Sequence, residues 1–164
     1  VATHRRTQNA ILEATKELIA TTGLKKMSMI EIADVSQVSR ATLYNHYRDK
    51  DSVLLALCES ELARLVEIAQ NAPDATSALE QISLQVSSDP ALAAMRVQDP
   101  DQLALALTKH DDHLWKAFAI ALTHLLGEGK SALALRWLLG QALHPINAQQ
   151  SRAQAEAITG IANL

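Results

Sequence analysis

A single cysteine, Cys58, stands in the 164 residues, so an internal disulfide is excluded and a reducing, cytoplasmic setting is expected. Aromatic residues make up only 3%, and there are five glycines and four prolines. So few glycines leave little for phosphate-cradling loops, and no Rossmann glycine set, P-loop, nucleophile elbow or HExxH is present. Neither an enzyme nor a bound cofactor is therefore expected. The chain also lacks a long apolar run. Its greasiest stretch, "WKAFAIALTHLL", is broken by Lys116, Thr123 and His124, well short of the roughly eighteen residues that a membrane span needs. The polar, basic start "VATHRRTQ" has no apolar region behind it and does not read as a secretory signal. No stretch alternates with period two, and no repeat of about 20–50 residues appears, so strands and solenoids are not expected.

What is present is the material of helices packed on helices. Apolar residues are 48% and charged residues 20%, with Ala and Leu abundant. The net charge of −3 hides an asymmetry. Residues 1–50 carry eight Lys and Arg against five Asp and Glu, a net +3, whereas residues 51–164 carry seven against thirteen, a net −6. Positive charge gathered at one end hints at nucleic acid, although a solvated basic face has the same composition.

Apolar positions Ile11, Leu12, Thr15, Leu18 and Ile19 recur at helical spacing and predict a first helix over Thr7–Thr22, closed by Gly23. Ser28 and Glu31 form a capping box and Met27 and Ile32 a hydrophobic staple, so a short second helix begins there and ends near Val35 or Ser36. Ser39 caps a third helix, "RATLYNHY". Asp49 caps a fourth, whose expected buried stripe is Val53, Leu54, Leu57, Cys58, Leu62, Leu65 and Val66. The remainder is helical in pattern, divided at "NAPD", "SSDP", "QDPD", "KHDD", "GEGK" and "HPIN", with Pro90 and Pro100 at first helical positions.

Two short helices joined by a tight turn match a helix-turn-helix, whose second helix enters the DNA major groove. With Leu43 and Tyr47 facing the core, Ala41, Thr42, Tyr44, Asn45 and Arg48 fall on the outer side of the third helix. Ala41 lets the backbone approach, Thr42 and Asn45 can bond base edges or phosphates, and Tyr44 can donate to a phosphate. Arg40 at the helix start can reach a guanine, and Lys50 puts a cation beside free backbone N–H groups. A helical hairpin with a solvated polar face shows the same pattern.

The order of residues is more specific. Ile11-Leu12-Glu13-Ala14, Gly23, Ile32-Ala33, Val38-Ser39, Thr42-Leu43-Tyr44-Asn45-His46-Tyr47, Lys50 and Leu54-Leu55 resemble the DNA-binding domain of the tetracycline-repressor (TetR) family over Arg5–Leu55. The resemblance implies an all-α protein: an N-terminal three-helix helix-turn-helix domain, residues 1–48, followed by a helical effector-binding and dimerisation domain, residues 49–164. It implies contacts to double-stranded operator DNA from Tyr44, His46 and Lys50 to phosphate and from Thr42 to phosphate or base. Arg40 and Asn45 are assigned to base reading, and Ser28, Ser39 and Ala41 complete the DNA-facing set. Gln37 stands where the family has Gly before Val-Ser; a left-handed conformation there would cost a non-Gly residue about 1–2 kcal/mol. Ala41 also replaces a frequent Gly, so base contacts do not transfer one for one.

The resemblance further implies a small-molecule effector, a homodimer and a ligand-released repressor on an inverted repeat. Candidate pocket residues are Met95, Trp115, Phe118, Trp137 and Gln141, apolar or aromatic with one polar group, although such residues equally serve packing. Candidate dimer residues on the two C-terminal helices are Leu135, Leu138, Ala153, Ala157 and Ile161, with Gly160 and Leu164 continuing the last stripe. His110, Asp111, Asp112, His113 and His124 could meet a divalent metal, but a polar helix start has the same composition, and no metal is expected. The competing reading is a helical protein–protein adaptor or ligand-binding module that has lost specific DNA binding.

Overall fold

A computed structural model describes residues 2–108 and 113–161 of the chain, the side chains of residues 2, 3 and 114 excepted. All the regular structure among them is helical: α1 (Ala2–Thr21), α2 (Met29–Val35), α3 (Arg40–His46), α4 (Lys50–Asn71), α5 (Ala75–Ser88), α6 (Pro90–Gln98), α7 (Pro100–Thr108), α8 (His113–Leu126), α9 (Glu128–Leu143) and α10 (Ala148–Gly160). Breaks fall where turn-forming residues cluster. Asp74 caps α5 by accepting from the Ser77 amide at 2.8 Å, and Asn147 and Gln150 form a reciprocal capping box on α10. Pro90 and Pro100 each open a helix, where a missing N–H is one of the groups left unbonded anyway. Helix α1 starts five residues before the expected Thr7, because the polar "ATHRR" carries helix-forming residues but no apolar periodicity to announce them.

Two compact units emerge. The first comprises the chain up to Ser60 together with Pro90–Leu103. Helix α1 packs against α2 and α6, and α2 against α3. Ile11, Leu12, Leu18 and Ile19 of α1 are buried, as are Ile32, Leu43, Tyr47, Val53 and Leu57. Thr15, buried among them, satisfies its hydroxyl on the Ile11 carbonyl at 2.7 Å. The Tyr47 hydroxyl is buried without a partner at hydrogen-bonding geometry; burial raises its pKa, and the neighbouring Gln8 side chain opposes that shift. Cys58 is exposed, which corrects its place in the expected stripe, whereas Val53 and Leu57 are buried, Leu54 is half-buried, and Leu62, Leu65 and Val66 pack partly buried further along the helix.

The second unit comprises Glu61–Asp89 and the chain from Ala104 onward. Helix α5 packs on α10 and α9, and α8 on α9. Its core is formed by Ala69, Leu79, Ile82, Phe118, Leu122, Ala134, Leu138, Ala155 and Ile158. A polar cross-link runs through it: Ser83 Oγ lies 2.7 Å from the Gln141 amide and 2.7 Å from Ser151 Oγ. With the Gln141 amide turned so that its NH2 donates to Ser83 and Ser87, its oxygen lies 3.2 Å from Trp137 Nε1.

Candidate nucleic-acid interface

Helix α2 is only seven residues long and depends on its ends. The Glu31 amide donates to Ser28 Oγ at 3.3 Å, while the Ser28 amide donates to the Glu31 carboxylate at 2.8 Å. A cap of this kind contributes about 1 kcal/mol. The helix closes with paired bonds from Gln37 N to Asp34 O (3.2 Å) and Val38 N to Ala33 O (3.1 Å), the Schellman arrangement. That closure requires a left-handed residue. Gln37, at φ +57°, takes it, the one non-glycine with positive φ among the described residues. The Ser36 hydroxyl bonds the Ile32 carbonyl and tightens the same turn.

The turn delivers the chain into α3. Ser39 accepts from the Thr42 amide at 3.0 Å, and its hydroxyl also pairs with Thr42 Oγ1 at 2.8 Å. Leu43 and Tyr47, four residues apart, turn inward and are buried. The opposite face is open: Arg40, Ala41 and Asn45 are exposed, and Tyr44 is 53% exposed although it is a large aromatic. An unburied tyrosine ring beside an arginine and an asparagine is a surface that can stack, donate and accept. Arg48, also outward, pairs with Asp49 at 2.9 Å, and Asp49 caps α4 by accepting from the Ser52 amide at 2.8 Å. That bond, ahead of the Arg48 cation, holds the Asp49 carboxyl below its ordinary pKa.

His46 is half-buried against the His4 ring, centroids 4.2 Å apart. Partial burial first, and repulsion from His4 second, lower its pKa. Lys50, expected on a phosphate, directs its ammonium inward to three carbonyls of the α1–α2 loop: Leu24 (3.0 Å), Met27 (3.2 Å) and Lys25 (3.4 Å). Ser28 is half-buried, with its hydroxyl engaged in the capping box.

Residues 11–57 match the family model of bacterial regulatory proteins, tetR family. Residues 11–57 thus carry a domain of the tetR-family regulatory type. Likeness of fold to solved structures extends over both units of the chain. The fatty acid degradation regulator FadR from Bacillus halodurans is 20% identical, with a TM-score of 0.67 over 93% of this chain and 94% of that one. The TetR family repressor AlkX from Dietzia sp. is 18% identical, with a TM-score of 0.59 over 93% of each chain. The transcriptional regulator FadR from Bacillus subtilis, in complex with stearoyl-CoA, is 17% identical, with a TM-score of 0.56 over 93% of this chain and 98% of that one. No match was found among curated protein sequences.

The other expected site residues are scattered. Met95 is buried in the first unit, on α6. In the second unit Phe118 lies in the core, Trp115 and Trp137 pack on it, and Gln141 is held by Ser83 and Ser87. Trp137 Nε1 also reaches Gln154 Oε1 at 2.5 Å. Met95 and the other four positions thus fall in different units. A cleft of about 420 Å³ opens instead between α4 and α8, walled by Val66, Ala69, Ala117, Ile120, Ala121 and Leu125 with Gln70 and His124 at its edge. The one-turn spacing (i, i+3, i+4, i+7) of Ala117, Ile120, Ala121 and His124 is the available signal for it, masked by the larger aromatics on the same helix. Of the dimer candidates, Ala153 and Ala157 are exposed, Leu135 and Ile161 half-buried, and Leu138 sits inside the chain's own core. His110, Asp111, Asp112 and Leu164 lie outside the described residues; among those described, no three His, Cys, Asp or Glu side chains gather as a metal site. Likewise, no described helix is long and apolar enough to cross a membrane.

Proposed function

We propose that this chain is a ligand-released transcriptional repressor that binds an inverted-repeat operator as a homodimer. One observation carries the reading: the outer face of α3, with Arg40, Ala41, Tyr44 and Asn45 exposed and Thr42 half-buried, is presented to solvent by a helix whose inner face is anchored through Leu43 and Tyr47. Arg40 and Asn45 read bases, Thr42 and Tyr44 contact base or phosphate, and His46 lies at the phosphate margin. Residues 1–48 form the DNA-binding domain, and effector binding and dimerisation belong to the chain beyond it.

The size of an operator supports pairing. One short helix reads one half-site, and two copies must meet half-sites about 34–36 Å apart. The exposed stripe Ala153, Ala157 and Gly160 on α10, with Leu133 and Leu143 exposed on α9, is the surface for that pairing. The α4–α8 cleft is the effector site: mostly apolar, with Gln70 and His124 to orient a small molecule. The stearoyl-CoA complex of the Bacillus subtilis FadR supports a small-molecule effector for this chain. Release then requires the effector to bind the DNA-incompetent state more tightly, typically by about 1–3 kcal/mol.

Enrichment of duplexes from a random pool tests the proposal. It should return an inverted repeat whose affinity falls steeply with salt. Recovery of no sequence, with no binding to any duplex at low salt, overturns it in favour of an adaptor, and a monomer in sedimentation at micromolar concentration overturns the dimer.

A further inference from the structure

The junction between α6 and α7 reads Gln98-Asp99-Pro100. Asp99 is the N-cap of α7: its carbonyl accepts from the Gln102 and Leu103 amides at 3.0 and 3.1 Å. An aspartate at this position ordinarily turns its carboxylate onto the first amides of its own helix. Asp99 turns it elsewhere. Only 2% exposed, it accepts from the Leu24 amide at 2.7 Å and faces the Lys25 amide at 3.4 Å. Burying a carboxylate is costly unless charge-assisted hydrogen bonds compensate, so these backbone donors anchor the loop rather than decorate it.

The sequence makes room for this contact. Gly23, at φ +93°, lies so close that a Cβ would come within 2.6 Å of Gln98 Oε1 and 3.3 Å of Asp99 Oδ2. The carbonyls of the same loop are gathered by the Lys50 ammonium. The α1–α2 loop is thus gripped from both polarities, its donors by Asp99 and its acceptors by Lys50. It runs directly into Ser28 and the capped start of α2, which carries the turn and α3. The exposed pair Lys25–Asp101, 2.8 Å, lies alongside and contributes little, since both groups are solvated.

We propose that Asp99 is a positioning residue for DNA binding. It fixes the α1–α2 loop and hence the presentation of α3, without touching DNA. It also ties the DNA-binding helices to Pro90–Leu103, a segment continuous in sequence with the second unit at both ends. Displacements of the chain at Asp89 or Ala104 therefore reach the α1–α2 loop through this carboxylate, in addition to the packing of α6 on α1. The proposal rests on the regulator reading above.

The test uses opposite signs. Removing a negative charge from a DNA-binding unit strengthens binding if electrostatics alone acts. Asp99→Asn should instead weaken binding of a duplex enriched by the wild-type protein, on the order of tenfold. Asp101→Asn removes the same charge nearby, leaves the loop amides bonded, and should bind at least as tightly as wild type. Asp99→Asn binding as well as or better than wild type, with its helical circular dichroism intact, overturns the proposal. Should that variant fail to fold, Asp99→Glu keeps the charge but displaces the carboxylate by one methylene: weaker binding supports the proposal and wild-type binding overturns it. Amide exchange separates the two layers of the argument. A Leu24 amide exchanging as fast as an unbonded one in wild type overturns the clamp whatever the DNA result, whereas absence of all duplex binding by wild type overturns the regulator reading.

Discussion

Replacing Gln37 with glycine should stabilise the first unit, although it deletes a side chain. Gln37 is held at φ +57° by the bonds that close α2, and its exposed side chain takes part in none of the described hydrogen bonds. A non-glycine residue in this conformation costs about 1–2 kcal/mol. Glycine removes that cost but adds about 0.4–1 kcal/mol of unfolded-state entropy. At the middle of these ranges the net gain is about 0.5–1 kcal/mol, or roughly 1–4 °C in Tm for a chain of this size. Gln37→Ala is the control, because alanine keeps a Cβ in the left-handed region and should leave stability within about 0.5 kcal/mol of wild type. Guanidinium unfolding followed by helical circular dichroism measures all three. Loss of stability in Gln37→Gly by more than about 0.5 kcal/mol would show that the turn is not strained and that the glutamine makes a contact that exposure conceals.

Lys50→Ala should lower stability by about 1–2 kcal/mol by freeing three loop carbonyls, and should weaken DNA binding equally at all salt concentrations. A drop of about one unit in the slope of log affinity against log salt would instead place Lys50 on a phosphate. His46 has a lowered pKa in the folded chain, so the unfolded state takes up its proton first. Stability is therefore complete above the ordinary histidine value of 6.5 and declines as pH falls below it and through the folded value. His46→Gln should remove part of that acid sensitivity, read as a shallower fall in Tm between neutral pH and pH 5, and an unchanged fall would dismiss the His46 environment as its source.

The parts of the fold written in local chemistry were legible. Gly23 ends α1, Ser28 and Glu31 start α2, Ser39 starts α3, Asp49 starts α4, and Gln37 adopts the conformation that its place in the turn demands. Each depends on residues within about five positions of one another. Partnerships across the chain were not. Asp99 finds Leu24 from 75 residues away and Lys50 finds Leu24 from 26, and no periodicity encodes such a meeting. For that reason Lys50 read as a free cation, and Gln141 as a pocket residue when Ser83 and Ser87 already occupy its amide. Cys58 was misplaced because neighbouring apolar positions on α4 offer two possible stripes, and only packing chooses between them.

The account stands or falls on the outer face of α3. Tyr44→Ala and Asn45→Ala remove exposed side chains, so both variants should melt within a degree or two of wild type. By fluorescence anisotropy on a duplex enriched by the wild-type protein, each should bind about 5- to 150-fold more weakly, the loss of roughly 1–3 kcal/mol that a good contact supplies. Wild-type affinity in both would mean that DNA, if bound at all, is read by another surface.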